Sequence, residues 1–422
     1  MRTVLPSKAL PQRTMVSAAP ASARFPSIRP SSARIQSVDA LRGMVMILMA
    51  LDHVRDFISR DAMQFSPTDL TRTTLAIFFT RWITHFCAPT FAFTAGLGAY
   101  FWLRRNRTRA QLSRFLVSRG LWLILIELTV LRFVFFLDYR FTHAFILLNV
   151  IWMLGLSMIV LAALVHLPRR ALILLSLITI AGHNLFDQVA PEQFGRFAWL
   201  WDILHQPGAF PVGSDMVLVA YSLVPWFAVM ALGYCIGPVF QWDFLRRQGF
   251  LLRTGVALTA AFVILRSVNI YGDPSPWSVQ HSTLFTILSF LNCTKYPPSL
   301  LFLLMTLGPA LITMALLERI QLSDSNPMLI FGRVPFFYFL IHLAVIHGIA
   351  ILISFIRYGR TPFLWMNAPS LGGSRDLFPA DFGVSLWVVY AVWIAVVVAL
   401  YPVCHRFAQL KRERRDWWLS YL

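Results

Sequence analysis

Residues 35–58 read IQSVDALRGMVMILMALDHVRDFI, a nearly uninterrupted apolar helix that nonetheless carries Asp39, Arg42, Asp52, His53 and Asp56. Ionisable side chains cost roughly 2.5–3.5 kcal/mol each near a bilayer centre, so a span that keeps several uses them. Eleven residues separate Arg42 from His53, and eleven steps of about 100° return to nearly the same face. At ~1.5 Å per residue the two lie about 16 Å apart along the axis, roughly half a hydrocarbon core. One stripe of this helix thus presents a cation near one membrane face and a titratable imidazole toward the other.

The surrounding chain fits that reading. Its 422 residues are 57% hydrophobic and only 13% charged, with a mean hydropathy of +0.64, which excludes a soluble domain of this size. The expected fold is all-α: a polytopic integral membrane bundle of about ten transmembrane helices. The spans are 38–58, 80–103, 118–137, 143–165, 169–187, 215–239, 250–270, 298–318, 329–356 and 384–404. With ten crossings, the basic tail 1–34, the cluster Arg104–Arg114, Arg169–Arg170, Arg246–Arg247 and the basic tail 406–422 all fall on one side. Asp61, Asp69, Asp138, Glu192, Asp202, Asp273, Asp376 and Asp381 fall on the other. By the positive-inside rule both termini are cytoplasmic, with the membrane domain spanning 35–405. The net charge of +18 then reflects topology and anionic lipid, not nucleic acid. The acid-poor, Arg- and Ser-rich tail reads as a flexible cytoplasmic segment or as an organellar transit peptide. Cys87, Cys235, Cys293 and Cys404 are scattered without metal spacing, so neither a disulfide framework nor a bound metal is expected.

Several polar groups recur at depths where they need a reason. His53 lies toward the outer end of its helix, with Asp56 close enough to hydrogen-bond the imidazole and Asp52 spaced to pair with Arg55. A carboxylate that fixes a histidine's tautomer makes it a better general base; the competing reading is a helix end facing headgroup water. Arg42 is either an anion-binding group or a snorkelling anchor paired with Asp39. In TRWITHFCAPTFAFTAGLGAYFWL, His85 comes at a depth comparable with His53 and shares a face with Arg81, while Pro89, Gly96 and Gly98 suit a kink and close helix contact. Glu127 and Arg132, and His342 and His347 after FGRVPFFYF, are intramembrane groups that serve either function or a buried interhelical pair. Arg333 falls near the cytoplasmic face. The tract TKYPPS places Lys295 and Tyr296 just before a helix start on the outer side, at headgroup level or against an anionic acceptor.

SVDALRGMVMILMALDH, RWITHFCAPTFAFTAG, YSLVPWFAVMALGYCIG, KYPPSLLFLLMTLGPA and FGRVPFFYFLIH resemble the bacterial membrane family named after the heparan-alpha-glucosaminide N-acetyltransferase catalytic domain. The opening helix is also similar to that of integral-membrane O-acyltransferases of bacterial surface glycans, which share an Arg and a His eleven positions later, here Arg42 and His53. The resemblance implies transfer of an acetyl group from cytosolic acetyl-CoA to a sugar or glycan hydroxyl or amine across a bacterial inner membrane. One departure stands out: the lysosomal enzyme's catalytic histidine falls in the loop after the first shared helix, and residues 60–73 here contain no His. His53 is therefore expected as general base or transient acyl carrier, with His85 assisting and Asp56 orienting it. Arg42 and Arg333 are expected on the pantetheine-diphosphate of the donor, and Lys295, Tyr296, His342 and Glu127 near the acceptor. This demands that His53 and His85 face a water-filled passage, entered by the thioester from one side and the saccharide from the other. Membrane lipid is a necessary partner, and a homodimer stays open. The alternatives are a proton-coupled transporter or glycan/lipid flippase with Glu127, Arg132 and His342 as its relay, and a catalytically silent scaffold.

Overall fold

The computed structural model describes residues 35–137, 140, 143–359, 378–414 and 416–420. The N-terminal tail 1–34, Asp138 and Asp376 therefore lie outside the described residues. Every expected span contains a helix. Five are long and apolar enough to cross a bilayer: Leu75–Leu103, Phe244–Val268, Leu300–Leu317, Pro335–Tyr358 and Leu386–Glu413. A sixth span is broken, Arg169–Phe186 and Pro191–Leu204 meeting at 104°. Val150–Leu164 and Trp226–Gln241 are apolar but shorter, and Gln36–Ile58 is long but charged. The helices begin where donors are capped: Thr74, Asp243, Ser282, Ser299 and Asn326 each accept from a backbone N–H of the first turn, and Thr108 with Gln111 forms a capping box.

The fold is not all-α. Residues 143–148 and 215–219, expected to start two spans, instead supply strands of a small sheet of order β1-β3-β2. β1 (Phe145–Leu148) runs parallel to β3 (Asp215–Val219), and β2 (Gly208–Val212) antiparallel to it. Gly213 at φ +61° with Ser214 closes the β2–β3 hairpin, where a left-handed residue suits a tight turn. The Asp215 carboxylate accepts from the Ala144 N–H at 2.9 Å, fastening β1 to the hairpin.

The opening helix Gln36–Ile58 is the hub. It packs against Cys87–Leu103, Leu300–Leu317, Pro327–Arg333, Pro335–Tyr358 and Leu386–Glu413. At its N-terminal half the backbones touch: a Cβ on Gly43 would sit 1.7 Å from the Met328 carbonyl oxygen, and one on Gly332 1.8 Å from that of Asp39. Surrounded on nearly all sides, the helix cannot turn its polar residues to lipid, so they face its neighbours or a cavity.

Candidate active site

The C-terminal half of the opening helix opens onto a cavity of about 970 Å³. Asp52, His53, Arg55 and Asp56 form one wall; Arg81, Thr84, His85 and Cys87 the second; Lys295 and Tyr296 the third. Leu218, Val219 and Tyr221 close it from the sheet side, and residues 62–68 lie across it. The sheet therefore supplies one side of the cavity.

His53 is held by imidazole, not carboxylate. His342 Nδ1 lies 2.8 Å from the Tyr338 carbonyl oxygen, which can only accept, so that nitrogen carries the proton. His342 Nε2 is then an acceptor, and it lies 2.7 Å from His53 Nδ1, which must donate to it. The chain of bonds assigns one tautomer to both rings and leaves His53 Nε2 as the basic nitrogen. Phe135 and Phe339 stand edge-on to the His53 ring at 6.3 and 6.0 Å and restrain its rotation. Phe135 follows a π turn at Glu127–Leu131, a local widening that recurs at functional sites. Asp56, expected to orient His53, instead meets Arg55 at 2.6 Å. Asp52 bridges Arg55 at 3.0 Å, as its spacing suggested, and Arg81 at 2.5 Å. His85 also lines the cavity; its Nδ1 is buried without a hydrogen-bond partner, and its ring lies 5.3 Å from Phe302.

Among the described residues, three cations and two carboxylates line the cavity, leaving one positive charge with the histidines neutral. The carboxylates pair with the arginines, so the surplus belongs to Lys295. Its ammonium lies 5.1 Å from the Tyr296 ring centre and 6.0 Å from that of Tyr221, and no carboxylate among the described residues is within ion-pair range. The positive charges of Lys295 and Arg81 hold the Tyr296 phenol, which is 43% exposed, below the usual phenol range.

The model of the family described as heparan-alpha-glucosaminide N-acetyltransferase, catalytic, matches residues 34–272. The chain belongs to this family. Membership makes it an integral membrane protein of an acetyltransferase family whose acetyl donor is acetyl-CoA. No curated protein matches the chain. The matched heparan-alpha-glucosaminide N-acetyltransferase segment takes in the opening helix, Arg81, His85 and Tyr221. Two motifs that carried the resemblance, around Lys295 and around Arg333–His342, lie beyond it.

Of the expected site residues, His53, His85, Asp56, Lys295 and Tyr296 come together around the cavity, with His342 directly behind His53. Glu127 does not join them. Its carboxyl oxygen accepts from the Trp152 N–H at 3.0 Å and caps the helix Val150–Leu164, a structural use of the side chain. Arg132 donates to the Arg140 carbonyl. The relay Glu127–Arg132–His342 drawn for a transporter thus has its members committed to three separate partners. Arg42 and Arg333 both lie toward the far end of the opening helix, each with its own partners: Arg42 donates to the Thr94 carbonyl and lies 3.8 Å from Asp39, and Arg333 pairs with Asp324 at 2.6 Å. Met49 is the cavity-lining residue of that helix nearest to Arg42, seven residues or about 10 Å short of it. This cavity therefore does not by itself reach Arg42, the other end of the expected passage.

Sequence reasoning missed the group that holds Lys295 in place. Arg266, fully buried, donates to the carbonyls of Phe290, Ser275 and Asn292 at 2.9–3.0 Å and of Ser289 at 3.2 Å. Asp273 accepts from the Thr294 N–H at 2.9 Å and the Ser299 hydroxyl at 2.6 Å. Together they clamp both ends of the segment 292–299. No metal spacing is visible in the sequence either, yet outside the cavity the fold gathers His183, Asp187 and His205.

Proposed function

We propose that the chain is a ten-span acyltransferase of a bacterial inner membrane, with both termini cytoplasmic, that passes the acetyl group of acetyl-CoA to a hydroxyl or amine of a sugar or glycan on the outer side. The observation that carries this reading is the His53–His342–Tyr338 chain of hydrogen bonds at the wall of a cationic cavity large enough for two reactants. His53 Nε2 takes the proton of the acceptor as its oxygen or nitrogen attacks the thioester carbon. The Lys295 ammonium balances the negative charge that develops on the carbonyl oxygen. Collapse of the tetrahedral adduct breaks the C–S bond, and the His53 imidazolium returns its proton to the departing thiolate of coenzyme A. Arg42 and Arg333, both toward the end taken as cytoplasmic, suit the donor's diphosphate. The thioester must then pass the level of Met49, where side chains pack closely, so a rearrangement there precedes transfer. His85 would line the acceptor's path.

Purified protein tests this directly, by release of free coenzyme A from acetyl-CoA with a sugar acceptor. His53→Ala should lower kcat about 10²–10⁴-fold, the span of general-base catalysis. His342→Ala should lose much of that too, while His342→Gln, whose amide oxygen can still accept from His53, should recover part of it. Full turnover in His53→Ala overturns the assignment, and proton-coupled uptake by proteoliposomes without any acyl donor would put a transporter in its place.

A further inference from the structure

We propose that His183, Asp187 and His205 form a binding site for one divalent transition-metal ion, Zn2+ by its donor set. The three residues meet at the sharp bend of the broken span, where the helix Arg169–Gly182 ends in a short turn, His183–Phe186, and the helix Ala198–Leu204 ends one residue before His205. One ligand atom from each lies within 4.8 Å of the others. An ion at the centre of a triangle of that side sits at most about 2.8 Å from each atom, so a sub-ångström closure reaches the ~2.0–2.2 Å of Zn–N and Zn–O bonds.

The hydrogen bonds around the cluster leave each residue a ligating atom. His205 Nε2 lies 3.0 Å from the His183 carbonyl oxygen, so it is the protonated nitrogen and Nδ1 keeps its lone pair. The Asn184 amide donates to Asp187 Oδ2 at 2.8 Å, leaving Oδ1, which is buried and has no hydrogen-bond partner. His183 is 3% exposed, and neither of its ring nitrogens has a partner. A buried imidazole with both nitrogens unmet is costly in a bare protein, and a metal bond satisfies one of them. The outer contacts are those a metal site uses: a carbonyl fixing one imidazole's tautomer and an amide orienting the carboxylate. Trp201 stacks on the His205 ring at 5.1 Å and keeps it in place. Two imidazoles and one carboxylate leave a fourth tetrahedral position for water.

Occupancy would join the two halves of the bent span. It would also steady the start of the helix Leu300–Leu317, since the Asn184 side-chain oxygen accepts from the Leu300 N–H at 2.9 Å. The test is metal content. Full-length protein equilibrated with Zn2+ and desalted should hold close to one ion per chain by elemental analysis, and Asp187→Asn or His205→Gln should weaken retention more than about tenfold. Chelator-treated wild-type protein given Co2+ should show the intense visible d–d bands of a low-coordinate ion, absent from the variants. Wild-type protein that retains no Zn2+ and leaves Co2+ with the spectrum of the aquo ion overturns the site, whether or not the variants fold.

Discussion

Lys295 shows how a single side chain acquires a role from its surroundings. A lysine 9% exposed is costly unless something offsets its lost hydration, and among the described residues its ammonium is faced by two tyrosine rings and no ion-paired carboxylate. Such contacts return about 0.5–2 kcal/mol, less than a carboxylate would, so the charge remains available to an anion in the cavity. If that anion is the transfer oxyanion, Lys295→Met should lower kcat about 10²–10³-fold with little change in KM, as loss of an oxyanion donor does. Lys295→Arg should keep part of the rate. A raised KM with kcat unchanged in a coenzyme A release assay would instead make Lys295 a substrate anchor. Lys295 itself was legible in the sequence as a cation beside a helix start. Its availability was not, because that depends on Asp52 and Asp56 being taken by Arg55 and Arg81. The same limit applied to His53. Its eleven-residue spacing from Arg42 marked it as significant, but its partner His342 lies 289 residues away, so the nearby Asp56 looked like the orienting group.

At the level of elements, helices were readable because apolar length is a strong signal, whereas short strands inside apolar runs were not. FILL at 145–148 and DMVLV at 215–219 are each continuous with a following helix in hydropathy, and a run of that length does not distinguish strand from buried helix. Parallel pairing of β1 with β3, seventy residues apart, leaves no local trace. Backbone partners are equally silent in sequence, which is why Arg266 escaped notice: all four of its acceptors are carbonyls. Those bonds fasten the end of Phe244–Val268 to the segment that presents Lys295. Arg266→Met would strand several buried carbonyls, each costing about 1–3 kcal/mol, so loss of stability of at least about 3 kcal/mol is expected. Thermal unfolding in detergent should show it as a large fall in Tm, and the folded fraction should transfer acetyl poorly because segment 292–299 is no longer clamped. A variant with wild-type Tm would show that the clamp rests on Asp273 alone.

For the whole molecule, the number of crossings decides which reactant meets which end of the cavity. Charge asymmetry calls for ten, and that count makes Arg42 and Arg333 cytoplasmic and puts the His53 cavity on the outer half. Helix length argues for scrutiny at two places. Val150–Leu164 has 15 residues, about 22 Å of helix against a hydrocarbon core of ~30 Å, and Trp226–Ile236 has 11. In each case the strand before the helix extends the path, and an extended residue advances ~3.3 Å, over twice a helical one. On the ten-span proposal, the four residues of β1 and the five of β3, half-buried in the protein, supply the missing depth. Each such element that failed to cross would flip every loop after it. The four native cysteines are all buried, so added ones report cleanly once Cys87 and Cys293, which line the cavity, are replaced by Ser. Arg105→Cys and Gln193→Cys place single thiols at exposed positions in two different loops. With ten crossings, a membrane-impermeant maleimide should label Gln193→Cys in cells whose outer surface is accessible. It should label Arg105→Cys only in inverted vesicles. Labelling of both from the same side would mean that Val150–Leu164, or another helix between the two loops, does not cross, and the acetyl donor and acceptor would then have to be assigned to different faces of the cavity.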